Sequence, residues 1–232
     1  MKTIGLIGGM SWESTALYYQ LINQGIKREM GGLHSAKIVL VSVDFAEIES
    51  LQIAGEWSKA GQLLAQAAVS LQSAGADFFL ICTNTMHIVA EQVQAAVRIP
   101  LLHIVDATGN LIKNKGFSRV GLLGTAFTME QDFYKDRLVQ KYGVDVLTPN
   151  QRERLIVHNV IYQELCSGII KKESHDKYQN VIDSLRERDV DCVILGCTEI
   201  GLLVNRETSC IPILDTTQIH VDAALQECLM KS

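Results

Sequence analysis

The chain lacks several features that would tie it to particular functions. No stretch approaches the ~18 apolar residues of a membrane span, and no Lys/Arg cluster or charge run stands out. Its formal net charge is −5, so electrostatics give no reason to expect a nucleic-acid partner. The six cysteines (82, 166, 192, 197, 210 and 228) show no CxxC spacing and no pattern of a small secreted domain. Most lie in or beside apolar runs and read as reduced thiols of a cytoplasmic protein. The apolar run near Met1 is too short for the core of a signal peptide. There is no GxGxxG with an acidic residue at the ribose-binding distance, so a dinucleotide site is not expected. Histidines and cysteines do not fall at metal-ligand spacing, and no lysine sits in a pattern for a Schiff base with pyridoxal phosphate. Neither a metal nor an organic cofactor is therefore expected.

What is present is a soluble α/β pattern. At 232 residues, 47% hydrophobic and 20% charged, the chain can bury a full core. Apolar runs at Thr3–Ile7, Ile38–Val43, Phe78–Ile81, Leu101–Ile104, Val120–Leu123, Val144–Leu147, Val190–Leu195 and Ile211–Leu214 read as strands. Helical spacing falls between them, at Thr15–Lys27, Trp57–Ala74, Met86–Ala96, Gln131–Tyr142, Arg152–Ser167 and His175–Arg188. Short strands alternating with helices predict parallel sheets with right-handed crossovers. Of the three prolines, Pro100 and Pro212 each precede a strand-like run.

An internal repeat divides the pattern in two. Gly5-Leu6-Ile7-Gly8-Gly9 resembles Gly121-Leu122-Leu123-Gly124-Thr125, 116 positions on. Ile99-Pro100-Leu101-Leu102 resembles Ile211-Pro212-Ile213-Leu214, 112 positions on. A polar run after a buried strand, at Thr83 and again at Cys197, repeats at 114. Offsets that drift by a few residues fit duplication with small insertions. Two lobes are predicted, 1–110 and 111–232, with the C-terminal helix able to cross back to the first.

Candidate site residues cluster at the predicted strand ends, where open α/β sheets place ligands. Gly8-Gly9-Met10-Ser11 leaves the first strand and precedes a helix beginning near Ser14 or Thr15, which suits either a carboxylate site or a plain tight turn. Thr83-Asn84-Thr85 offers two hydroxyls and an amide, although Asn and Thr are also ordinary helix caps. Cys197-Thr198-Glu199 puts a thiol near a predicted helix N-terminus, a position that lowers thiol pKa; Glu199 opposes the effect if it lies close. His87 and His103 read as buried, hydrogen-bonded residues. Side chains alternate along an extended segment, so if Thr83 faces a cleft, Cys82 faces away.

At these residues the chain resembles the aspartate/glutamate racemase family, which needs no pyridoxal phosphate. The resemblance runs nearly end to end: Gly8-Gly9-Met10 with Tyr18-Tyr19, then Asn84-Thr85-x-His87, Gly124-Thr125 and Gly196-Cys197-Thr198-Glu199. It implies two pseudo-symmetric flavodoxin-like lobes, a homodimer, and an acidic amino acid held between lobes. It also implies a two-base relay, in which one cysteine takes the α-proton and a second returns a proton to the opposite face. Here Thr83 stands where the first cysteine belongs, and Cys82 is displaced to the usual proline position. Cys166 occupies a place where relatives often carry a lysine implicated in carboxylate binding.

A threonine hydroxyl is a far weaker acid than a thiol, and general acid–base catalysis favours groups whose pKa lies near the working pH. The expected enzyme is therefore a lopsided, cofactor-independent racemase of aspartate and/or glutamate. Cys197 abstracts the proton, Thr83 serves the other face, and the L enantiomer is favoured. Met10, Ser11, Gln52, Asn84, Thr85, Thr125, Thr198 and Glu199 would hold the substrate. Two other readings stay open. One is a single-cysteine isomerase or decarboxylase working through a carboxylate-stabilised carbanion; the other is a non-catalytic binder of acidic metabolites.

Overall fold

A computed structural model describes residues 1–204 and 209–230. The chain divides into two compact units, Met1–Ile104 with His220–Ser232, and Val105–Ile219. The sequence pattern put the break at 110/111 instead.

The first unit holds β1 (Ile4–Gly8), α1 (Trp12–Met30), β2 (Ile38–Ser42), α2 (Phe45–Ile53), α3 (Trp57–Ser73), β3 (Phe78–Ile81) and α4 (Ala90–Ala95). Its sheet is parallel in the order β2-β1-β3, and a single bridge from Phe79 to Leu101 extends it. Every residue of β1 and β3 is buried, because helices cover both faces. The two-residue period then sorts side chains. Phe79 and Ile81 join Ile7, Leu64 and Leu71 on the α3 face. Phe78, Leu80 and Cys82 join Ile4, Leu6 and Tyr18 on the α1 face. Helix α1 meets that face through Ser14, Tyr18, Ile22 and Ile26, one stripe at a spacing of four.

The second unit opens after α5 (Ile104–Lys115) has begun. It contains β4 (Arg119–Gly124), α6 (Ala126–Glu130), α7 (Asp132–Tyr142), β5 (Asp145–Leu147), α8 (Gln151–Gln163), α9 (Lys172–Arg186), β6 (Cys192–Gly196), β7 (Ile213–Asp215) and the first turn of α10 (Thr216–Leu229). Its sheet is also parallel, ordered β5-β4-β6-β7. Strand for strand this repeats β2-β1-β3 and the Leu101 bridge. Helix α9 buries Tyr178, Val181, Ile182 and Leu185 against Leu123, Val193 and Leu195. Helix α8 starts in a capping box, in which Asn150 and Glu153 each bond the other's backbone N–H.

Several boundaries differ from the sequence pattern. Leu101–Ile104 is not a strand: only Leu101 pairs, and Ile104 already opens α5. The expected helix over Met86–Ala96 begins as a 3-10 segment, Thr85–Val89, closed by bonds such as His87 N–H to the Asn84 carbonyl at 3.1 Å. It becomes α-helical only from Ala90. The helix expected over Arg152–Ser167 stops at Gln163, where Glu164 leaves helical geometry (φ −127°). Helices α2, α5 and α6 have no counterpart in the pattern. No helix among the described residues is long and apolar enough to cross a membrane.

Candidate active site

In the first unit, β1 delivers Gly8-Gly9-Met10-Ser11 into a tight turn. Gly9 has φ +91°, and a Cβ there would lie 2.1 Å from the Val43 carbonyl oxygen, so only glycine fits. The helix begins earlier than the pattern placed it: Trp12 is its first residue, and Ser11 is the N-cap, accepting from the Ser14 N–H at 3.2 Å. The Gly9 N–H donates to Thr15 Oγ1 at 2.8 Å, and Thr15 Oγ1 donates in turn to the Ser11 carbonyl at 2.8 Å. The turn is thus closed on itself by its own helix. Met10 is buried on the α3 face of the sheet. Gln52, buried on α2, donates through Nε2 to Met86 Sδ at 3.0 Å.

Strand β3 delivers Thr83, Asn84 and Thr85. Thr83 is half-buried, whereas Asn84 and Thr85 are buried. Asn84 precedes the 3-10 segment in helical geometry, and its side chain makes no capping bond. Cys82 continues the phase of Phe78 and Leu80 into the α1-face core. Burial there pushes its thiol pKa far above the ordinary range. His87 and His103 are both buried.

In the second unit, Thr125 caps α6. Its Oγ1 accepts from the Thr128 N–H at 3.3 Å and lies 3.2 Å from Thr128 Oγ1. The next residue, Ala126, donates its N–H to His158 Nδ1 at 3.2 Å. His158 also helps line a recess of about 500 Å³ between α6 and α8, with Glu130, Arg152 and Arg154. None of the sequence-selected residues lines that recess.

Strand β6 delivers Cys197 with extended geometry (φ −151°, ψ 131°). Its half-buried thiol donates to Glu199 Oε2 at 2.9 Å, and Thr198 Oγ1 donates to the same oxygen at 2.6 Å. Burial, the Glu199 charge, the bond to Glu199 and the neighbouring Cys166 together hold the Cys197 pKa well above its ordinary value. This corrects the expectation of a lowered pKa. Cys197 leads into a five-residue 3-10 turn, Thr198–Leu202, too short to supply the dipole of a true helix. Burial, and behind it the carboxylate two positions away, set the direction, and the thiol rests protonated and bonded to Glu199.

Two contributors went unseen in the sequence. Tyr178 packs in the same core cluster as Cys197 and Cys166, and both thiols, behind burial, raise its own pKa. Its only sequence signal was a place on the apolar stripe of α9. His158 carried no signal at all, because its partner is a backbone N–H. Among the described residues no group of three His, Cys, Asp or Glu could hold a metal ion.

Known proteins match this architecture. A candidate Asp/Glu racemase from Yersinia pestis is 54% identical, covers 99% of this chain and 100% of its own, and superposes with a TM-score of 0.94. An aspartate racemase homologue from Pyrococcus horikoshii OT3 is 31% identical over 99% of this chain and 100% of its own, with a TM-score of 0.86. The broad specificity amino-acid racemase RacX of Bacillus subtilis is 29% identical over 157 residues, which span 65% of this chain and 64% of that protein. The model of the Asp/Glu/hydantoin racemase family matches residues 7–224. With the two strand-end clusters, these matches place the chain in the Asp/Glu/hydantoin racemase family.

Proposed function

We propose that the protein racemises an acidic amino acid, aspartate or glutamate, without a cofactor, and that it deprotonates the L enantiomer more readily. The observation that carries this reading is the thiol of Cys197 bonded to the Glu199 carboxylate at 2.9 Å. A carbanion reaction at an α-carbon needs a base that is strong once formed and an acceptor poised to take its proton. Burial and the Glu199 charge make the Cys197 thiolate a stronger base than an ordinary one. Glu199 supplies the acceptor that takes the thiol proton, and the Thr198 hydroxyl supports the carboxylate until then.

The steps balance in protons. The thiol proton of Cys197 passes to Glu199, and the thiolate takes the α-hydrogen. The Thr83 hydroxyl then delivers a proton to the opposite face and is replenished from solvent, while Glu199 returns its proton to solvent, so that every group is reset and no net proton is consumed. A hydroxyl serves as donor far better than as base, so abstraction starting at Thr83 is slow. Met10, Ser11, Gln52, Asn84, Thr85, Thr125, Thr198 and Glu199 are proposed to hold the substrate, with backbone N–H groups available to its carboxylates. All six cysteines are free thiols, in keeping with a reducing, cytoplasmic location. A homodimer is proposed from the family resemblance, and sedimentation velocity tests it.

The decisive test incubates L- and D-aspartate and L- and D-glutamate separately in deuterated buffer, with mass and chiral analysis of each. α-Deuterium wash-in from at least one L substrate, faster than from its D form, is expected. No wash-in from any of the four would sink the reading, and carbon dioxide release would move it to the decarboxylase alternative.

A further inference from the structure

Thr83 gains its position from two side chains outside the strand end. The peptide preceding its Cα carries the Cys82 carbonyl, which accepts from Ser14 Oγ at 3.0 Å. The peptide after it carries the Thr83 carbonyl, which lies 2.8 Å from His87 Nδ1. Both peptide planes that set φ and ψ at residue 83 are therefore held from outside. The ring's protonation is set by its partners. The Ile104 N–H can only donate, and it points at His87 Nε2 at 3.3 Å, so that nitrogen is bare. Burial, with His103 and His220 nearby, keeps the ring neutral, so its one proton sits on Nδ1 and is donated to Thr83.

A second histidine secures the same end of the unit. His220 lies with Nε2 2.8 Å from the Leu102 carbonyl, which can only accept, and Nδ1 2.9 Å from Tyr18 Oη. It is buried and depressed to about 4, so it too is neutral, and its Nδ1 accepts from Tyr18. Ile104 and His220 are the residues at which the chain leaves and re-enters the first unit. The clamp on Thr83 is thus built where that unit's backbone is itself pinned.

We propose that His87, with Ser14, is a positioning residue for Thr83: the pair clamps the backbone on either side of residue 83 so that its hydroxyl is aimed at the substrate. The inference rests on the proposed racemase reading and makes a claim that reading does not. Steps that use Thr83 depend on the clamp, and steps that use Cys197 alone do not.

Isotope exchange separates these steps. Cys197 can remove an α-hydrogen and return a deuteron to the same face, giving wash-in with retention, whereas inversion needs Thr83. His87→Gln keeps an acceptor for the Ile104 N–H but moves the donor away from Thr83. His87→Asn places an amide N–H near the position of Nδ1. Ser14→Ala removes the other half of the clamp while leaving its own N–H to the Ser11 cap. In His87→Gln and Ser14→Ala, inversion of the favoured enantiomer is expected to fall about 10-fold or more, and retentive wash-in by no more than about 3-fold. His87→Asn is expected to recover most of the lost inversion.

An equal fall of both rates in His87→Gln and Ser14→Ala, with no rescue by Asn, would mean a general structural role and overturn the proposal. A readout free of turnover is the ¹⁵N spectrum of the free enzyme, where His87 is expected with Nδ1 protonated and Nε2 bare. A protonated Nε2 overturns the clamp alone. Wild-type protein that exchanges none of the acidic amino acids overturns the racemase reading, and the imidazole tautomer still decides the clamp.

Discussion

Strands β3 and β6 occupy the same place in their respective sheets, yet they end in opposite chemistry. β3 runs into Thr83, a hydroxyl whose neighbours are neutral: a serine oxygen on one peptide and an uncharged imidazole on the next. β6 runs into Cys197, a thiol whose first neighbour is a carboxylate at 2.9 Å. The first end is fixed in position by neutral partners on its two carbonyls. The second end holds a donor and an acceptor in contact. A repeated backbone thus ends in unrepeated chemistry: Thr83 lies two residues past β3 with Ser14 and His87 on its flanking carbonyls, whereas Cys197 and Glu199 both lie within three residues of β6.

The comparison breaks most completely at Cys197. Cys197→Ala removes the only thiol with a bonded acceptor in the proposed machinery, and both turnover and α-hydrogen exchange are expected to drop about 10³-fold or more. Chiral chromatography and deuterium wash-in measure the two; retention of either one would remove Cys197 from the role of base.

Glu199→Gln comes next, with rates expected about 10- to 100-fold lower. The same change should make the thiol more acidic, because the negative charge holding its proton is gone. The pH midpoint for alkylation of Cys197 by iodoacetamide is therefore expected to move down while turnover falls. If the midpoint stays or rises, the acid pairing is not what elevates it.

Thr83→Cys sharpens the contrast instead of erasing it. Exchange from the disfavoured enantiomer is expected to rise about 10-fold, with a smaller change for the favoured one, since Cys197 already serves that face. The measurement must be initial wash-in from each enantiomer separately. The equilibrium constant between free enantiomers is one, which forces nearly equal kcat/KM in the two directions and hides the asymmetry there. Equal wash-in from both enantiomers in the wild type would remove the premise.

The smallest kinetic effect is expected at Cys82, which lies one residue from Thr83 but in the α1-face core. Cys82→Ala should leave activity within about 2-fold and cost about 1 kcal/mol of stability, read from chemical denaturation. It should also change the alkaline limb. The native Cys82 thiol titrates far above the value of about 8.5 typical of an unfolded chain. The folded state therefore holds a proton that the unfolded state releases. That contribution is intact below about pH 8.5 and is lost as pH rises through the elevated native value, at up to about 1.4 kcal/mol per pH unit. Cys82→Ala is expected to flatten this decline, and an unchanged slope would mean that Cys82 is not buried as a neutral thiol.

Strands with helices on both faces were easy to read, because Ile4–Gly8, Phe78–Ile81 and Cys192–Gly196 are continuous apolar runs ended by glycine or a polar turn. The same reasoning misled at Leu101–Ile104. That run is apolar apart from His103, but its pairing ends at Leu101 and the N–H of Ile104 goes to a histidine ring, which no local pattern encodes. Thr83 and Cys197 were visible as polar residues after buried strands. The direction of the Cys197 shift was not, since it turns first on burial of the thiol and then on whether a carboxylate two positions away bends back to it. The Ser14 and His87 bonds to carbonyls on either side of Thr83 were invisible for a similar reason: they are side chain to backbone, and a carbonyl looks the same in every residue.

The first unit is assembled from two separated stretches of chain, with consequences for synthesis. The core packed on α1 is finished by Val221, Ala224 and Leu225 of α10. Residue 2 is tied to the same helix through Lys2 Nζ to Glu227 and the Lys2 N–H to the Cys228 carbonyl at 3.0 Å. On the ribosome, more than a hundred residues of continuous second unit emerge before those closing side chains exist. Tyr18, Ile22 and Ile26 therefore wait with an uncovered apolar face, while the second unit, contiguous in sequence, can close first. A nascent chain stalled before Val221 is expected to protect Tyr178 and its neighbours from protease while leaving α1 open to cleavage. Equal protection of both regions would show that α10 is not needed to close the first core.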